Sequence, residues 1–151
     1  MSEHNTLQAF IRSKVASPPE PEAQIDWAHR KEEWLKAIDG LYDLVKSWLQ
    51  PLESDDTLRF RLAKISLEED QIGTYEVDVL TLLIGKQRVA FYPKGTLIIG
   101  ADGRVDVRGQ RAVRTLVLNG GRWFVVERAP RLKTLPFNDD SFQDLLREVM
   151  E

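Results

Sequence analysis

Trp27, Trp34, Leu41 and Trp48 recur at intervals of seven residues, and Ile38, Val45 and Leu52 follow the last three by four. Residues three, four and seven apart share a helix face, so this spacing predicts a long amphipathic helix over Ala23 to Gln50. A second row, Ala28, Leu35, Tyr42 and Leu49, lies beside the first. Pro51 is expected to end the helix, and Gly40 in its interior costs about 1 kcal/mol relative to alanine and marks a candidate kink. Apolar positions at this spacing form a packed seam. Trp27, Trp34, Leu41 and Trp48 therefore read either as core or as the seam of a homodimer through helix 23–50.

Upstream, Leu7, Phe10, Ile11 and Val15 fall at helical spacing, and Ser17-Pro18-Pro19-Glu20-Pro21 ends that short helix. The expected organisation is a short helix and proline-rich connector over 1–22, followed by one globular domain over 23–151. After Pro51 the pattern changes to alternation broken by turn residues. Strands are expected at Thr57–Leu67, Thr74–Ile84, Arg88–Tyr92, Thr96–Gly100, Arg104–Arg108, Arg111–Leu118 and Arg122–Arg128. Asp102-Gly103 and Asn119-Gly120 are expected as two-residue hairpin turns, with reversals also at Pro93-Lys94-Gly95 and Gly109-Gln110. The run Val79, Leu80, Leu82, Leu83 and Ile84 predicts a central strand covered on both faces. Val105 and Val107 alternate with Arg104, Asp106 and Arg108, which predicts one wet face. Phe142, Leu145, Leu146, Val149 and Met150 predict a closing amphipathic helix, with Ser141 and Asp144 imitating a capping box.

Strands bracketed by helices, without β–α alternation, give an α+β fold: N-terminal helices, an antiparallel meander or partly closed barrel of about seven strands, and a C-terminal helix. That element order resembles a pleckstrin-homology-like barrel capped by its helix, in topology alone. The two N-terminal helices are extra to that pattern. Lipid headgroup binding would call for basic residues in the loop between the first two strands, where this chain has Glu68-Glu69-Asp70. The resemblance therefore implies a protein-interaction use of the scaffold.

Composition narrows the chemistry. With no cysteine, the chain has no thiol nucleophile, disulfide or Cys-based metal site. Its two histidines, His4 and His29, lie on a terminus and a helix flank. Neither a phosphate-binding glycine loop nor a calcium-loop spacing occurs, so no metal and no cofactor is expected. The start, MSEHNTLQAF, lacks the basic and apolar regions of a signal peptide, and no apolar run approaches the roughly 18 residues of a spanning helix. A cytoplasmic, soluble protein with no membrane association is expected.

The net charge of −3 conceals a strong asymmetry. Met1 to Gly85 carries 9 Lys+Arg against 16 Asp+Glu, whereas Lys86 to Lys133 carries 11 against 3. Such a basic segment points to an anionic partner, or to ion pairs with the acidic helices. Arg104, Arg108, Arg111, Arg114 and Arg122, with Trp123 beside the last, are the candidate binding residues, because guanidinium groups near a ring suit phosphate-backbone contact and stacking. Arg131 and Lys133 could extend that patch.

The residues are compatible with three functions. The first is a non-enzymatic protein-interaction domain, self-associating or binding another protein. The second is a polyanion or nucleic-acid binding module using the Arg-rich hairpins 104–128. The third is an acid/base enzyme using Glu76 and Asp78, two residues apart on one strand face, which otherwise are ion-pair partners for Arg59 and Arg61.

Overall fold

The computed structural model of the chain describes residues 26–96, 101–127 and 133–151. The predicted helix near residues 6–16 and its proline connector lie outside the described residues, as do Leu97–Gly100, Arg128, Arg131 and His4. The observed order is α1 (Trp27–Ser54), β1 (Arg59–Glu69), β2 (Gly73–Ile84), β3 (Gln87–Gly95), β4 (Gly103–Arg108), β5 (Val113–Asn119), β6 (Arg122–Glu127), β7 (Lys133–Pro136) and α2 (Asp139–Val149). The fold is α+β, with a seven-stranded antiparallel meander between two helices. No helix of the described chain is long and apolar enough to cross a membrane.

Helix α1 starts where the Asp26 carboxylate accepts from the His29 backbone N–H at 3.0 Å. Its buried residues are Trp34, Ile38, Leu41, Tyr42, Val45 and Leu49, a stripe at intervals of three and four. Trp27 and Trp48 are half-buried at its ends. The helix does not stop at Pro51 but continues through it to Ser54. Proline removes only its own donor, and the carbonyls of Pro51, Leu52 and Glu53 still accept from Asp55, Thr57, Leu58 and Asp56.

The seven strands lie side by side in chain order, and β1 does not meet β7, so the sheet is open rather than closed into a barrel. The registers put Leu80, Leu82, Val89, Phe91, Val105, Val107, Leu116, Leu118, Trp123 and Val125 on one face. These residues are buried with the α1 stripe and with Phe142, Leu145 and Val149 of α2 in a single core. Aromatic rings join the layers. Trp34 packs on Trp123 at 6.1 Å, Tyr42 on Phe91 at 6.2 Å, and Trp48 on both Phe137 and Phe142 at 5.3 Å.

Several local expectations need correction. Asp102-Gly103 is not a hairpin turn. Gly103 opens β4 opposite Leu118, and the Trp34 ring packs against its backbone, where a Cβ would stand 2.6 Å from Trp34 Cε3. Glycine is there for close approach, not for a left-handed conformation. The tight turn between β5 and β6 is centred on Gly120-Gly121, both at positive φ, one residue later than expected. That shift pairs Trp123 with Leu118. Pro93-Lys94-Gly95 is no reversal but the irregular end of β3: Pro93 still pairs with Val105, and the register shifts between Pro93 and Gly95. Strand β2 is second from an edge, not central, although Val79 to Leu82 are indeed covered. Strand β7 escaped the sequence pattern because all four of its residues are exposed and show no alternation of burial. The capping box of α2 is formed by Asn138 and Ser141, one turn before the predicted pair.

The β1–β2 hairpin is strongly twisted. Its register is continuous over eleven pairs, yet the buried residues of β2 switch from Tyr75 and Val77 to Leu80 and Leu82, which are of opposite parity. Two-stranded ribbons carry the largest twist, and here it turns the hairpin's outer half so that its other face meets Trp34. The Glu69 carboxylate fastens that end. It accepts from the Tyr75 hydroxyl, from the Thr96 N–H at 2.6 Å and from the Thr96 hydroxyl at 3.0 Å.

Candidate functional site

The candidate arginines do not form one surface. Arg104 pairs with Asp106 on its own strand, Nε to Oδ1 at 2.8 Å and a terminal nitrogen to Oδ2 at 3.2 Å. Asp106 is buried and also accepts from the Thr115 hydroxyl at 3.2 Å, so its charge is answered locally. Arg114 extends to the helix side, where it pairs with Glu148 of α2 and donates to the Val126 carbonyl at 3.2 Å. Arg111 is exposed in the β4–β5 loop and Arg122 at the tip of the β5–β6 hairpin. Trp123 is core, and its indole N–H donates to the Ala37 carbonyl at 3.3 Å. Trp34 and Leu41 are buried against the chain's own sheet, and Trp27 and Trp48 flank them.

Glu76 and Asp78 share a face of β2, two residues apart. Glu76 stands opposite Ser66 and Asp78 opposite Lys64, whose Nζ lies 3.4 Å from Asp78 Oδ1. They are therefore not the partners of Arg59 and Arg61, which stand opposite Leu83 and Thr81.

That register creates a constellation which no run of sequence displays. Arg61, Thr81, Ala90 and Arg108 are successive cross-strand partners on β1, β2, β3 and β4, and so form one row across the face of the sheet turned away from the helices. Arg88 and Tyr92 flank Ala90 on the same side of β3. Together with Gly109 and Gln110 these residues line a shallow groove of about 230 Å³. The groove has a small-residue floor, formed by the buried Thr81 and Ala90. The Arg108 guanidinium lies over the Tyr92 ring, 4.8 Å from its centre. Among the described residues, Arg61, Arg88 and Arg108 have no carboxylate within ion-pair distance, unlike Arg104 and Arg114. The pairing register was the missing signal. Only the prolonged β1–β2 ladder shows that Arg61 and Arg108, 47 positions apart, share a row.

Beyond β4 the same outer face turns apolar, with Val113 (52% exposed) followed by the half-buried Val117, Phe124 and Val126. A larger cavity, about 660 Å³, lies elsewhere, beside the start of α1. It is lined by charges of both signs, among them Asp26, Glu33, Arg30 and Lys36. Comparison of the chain with protein families, curated proteins and solved structures found no match.

Proposed function

We propose that the chain is a non-enzymatic interaction domain whose outer sheet face docks an acidic segment of another protein. One observation carries this reading: among the described residues both helices cover the same face of the sheet, and the other face presents arginines on β1, β3 and β4 that no described carboxylate pairs, beside an apolar strip on β5 and β6. Apolar contact supplies area and the arginines supply charge complementarity, the division of labour usual at protein interfaces. A long polyanion such as nucleic acid is less well supported. The whole chain is acidic, and Arg104 and Arg114 are already engaged.

The test is a titration of the isotope-labelled chain with polyglutamate at low and at 0.5 M salt, followed by amide shifts. Shifts are expected on β1, β3 and β4, fading at high salt over which surface charges are screened. Arg61→Glu with Arg108→Glu should abolish them, while Arg147→Glu on α2 should not. Shifts that map instead to the helices, or that survive the double reversal, would overturn the proposal.

A further inference from the structure

Within that face, and resting on the reading just given, the groove between Arg61, Arg88 and Arg108 has the chemistry of a single-ligand site. Three strands deliver one guanidinium each toward a floor of threonine and alanine, which leaves room above Thr81 and Ala90 for a small group. The lining is rich in donors: three guanidinium groups, the Gln110 amide and the hydroxyls of Thr81 and Tyr92. It contains no carboxylate. The nearest acid on that face in register, Asp106, is occupied by Arg104 and Thr115. At about 230 Å³ the groove is smaller than a typical pocket of 300–1,000 Å³ for a drug-sized ligand, which suits a compact anion over a nucleotide. All three arginines sit on strands within a hydrogen-bonded sheet, so their Cα positions are set before any ligand arrives, and the Arg108 guanidinium is further held over the Tyr92 ring.

Like charges on neighbouring strand positions repel. An anion bound between them removes that repulsion, and one of charge −2 removes more of it than a carboxylate does. We infer that this groove is a binding site for a phosphate monoester dianion, carried on a side chain of the docked partner. Arg61, Arg88 and Arg108 would pair with its oxygens, Thr81 would donate from below, and Tyr92 would hold Arg108 in position.

The experiment measures the thermal midpoint of the full chain against increasing inorganic phosphate, sulfate and N-acetyl-phosphoserine amide, at pH 5.5 and 7.5. Phosphate and phosphoserine should raise the midpoint in a saturable way, as ligands that bind only the folded chain do, with Kd on the order of a millimolar. Binding of both should strengthen severalfold from pH 5.5 to 7.5 as the second proton leaves, whereas sulfate should show no such change. Arg88→Ala and Arg61→Ala should each remove the phosphate-dependent rise while leaving the ligand-free midpoint equal or higher, because repulsion is relieved. A loss of the rise together with a lower ligand-free midpoint would point to a structural role and would overturn the site. Polyglutamate shifts on the outer face without any phosphate effect would refute the groove and leave the docking reading standing. Failure of both probes would remove both. Binding of a single-stranded oligonucleotide more tightly than phosphoserine amide would replace the side-chain ligand with nucleic acid.

Discussion

Two glycine-to-alanine substitutions should have opposite signs, and the reason lies in what surrounds each backbone. At Gly103 the added Cβ would stand 2.6 Å from Trp34 Cε3, about an ångström inside the usual carbon–carbon contact of about 3.5–4.0 Å. The ring has little room to retreat: Trp34 is 1% exposed and is backed by Trp123. Overpacking of this kind costs typically about 1–3 kcal/mol, against a gain of about 0.4–1 kcal/mol from the stiffer unfolded chain. With so deep an overlap we expect Gly103→Ala to be destabilised by about 2 kcal/mol. At Gly40, in the exposed interior of α1, a Cβ would meet nothing within 4 Å. There helix propensity acts alone, and Gly40→Ala should stabilise by about 0.5–1 kcal/mol. Urea unfolding followed by far-UV circular dichroism would measure both, with slopes near that of the wild type showing that the change lies in stability alone. Trp34→Phe removes the part of the ring that meets Gly103, so in the double variant the Gly103→Ala penalty should shrink by about 1–2 kcal/mol. A neutral or stabilising Gly103→Ala, or strict additivity with Trp34→Phe, would refute the close helix–sheet contact.

Alkaline pH offers a second check. Burial pushes the Tyr42 hydroxyl well above its usual value; burial, followed by the adjacent Glu69, does the same for Tyr75. Each group ionises near pH 10 when unfolded but resists ionisation when folded, so its stabilising contribution is complete below about pH 10 and lost as pH rises further. Stability should fall by about 1.4 kcal/mol per pH unit for each tyrosine, and Tyr42→Phe should halve the combined slope in urea titrations between pH 10 and 12; an unchanged slope would refute it. Trp34→Glu places an unpaired carboxylate in the core and should cost more than about 4 kcal/mol. Circular dichroism and light scattering should then show an unfolded chain, whereas a well-folded monomer formed from a wild-type dimer would move the α1 stripe to an interface.

How much of this was legible without coordinates depended on whether the signal was local. The α1 stripe, the alternation of Val105 and Val107 and the amphipathic α2 each lie within a dozen or so residues, where periodicity alone decides the face. Gly103 was misread because a glycine after aspartate has two explanations, a left-handed turn or a close neighbour, and only the position of Trp34 chooses between them. Likewise, the arginines that are close in sequence are divided between faces, and two of them, Arg104 and Arg114, are occupied by Asp106 and Glu148. Arg61 and Arg88 could not be grouped with Arg108 until the register of three successive strand pairs was known. A one-residue slip in any of them would send a side chain to the opposite face.

The meander also bears on how the chain reaches its native state. Each strand pairs with its immediate predecessor and successor, so the ladders can zip together through short loop closures with low entropic cost. Helix α1 is different: its contacts with Phe91, Gly103 and Trp123 span 49 to 89 positions. Sheet formation can therefore run ahead while α1 docks last, so that strand substitutions slow refolding and α1 substitutions speed unfolding.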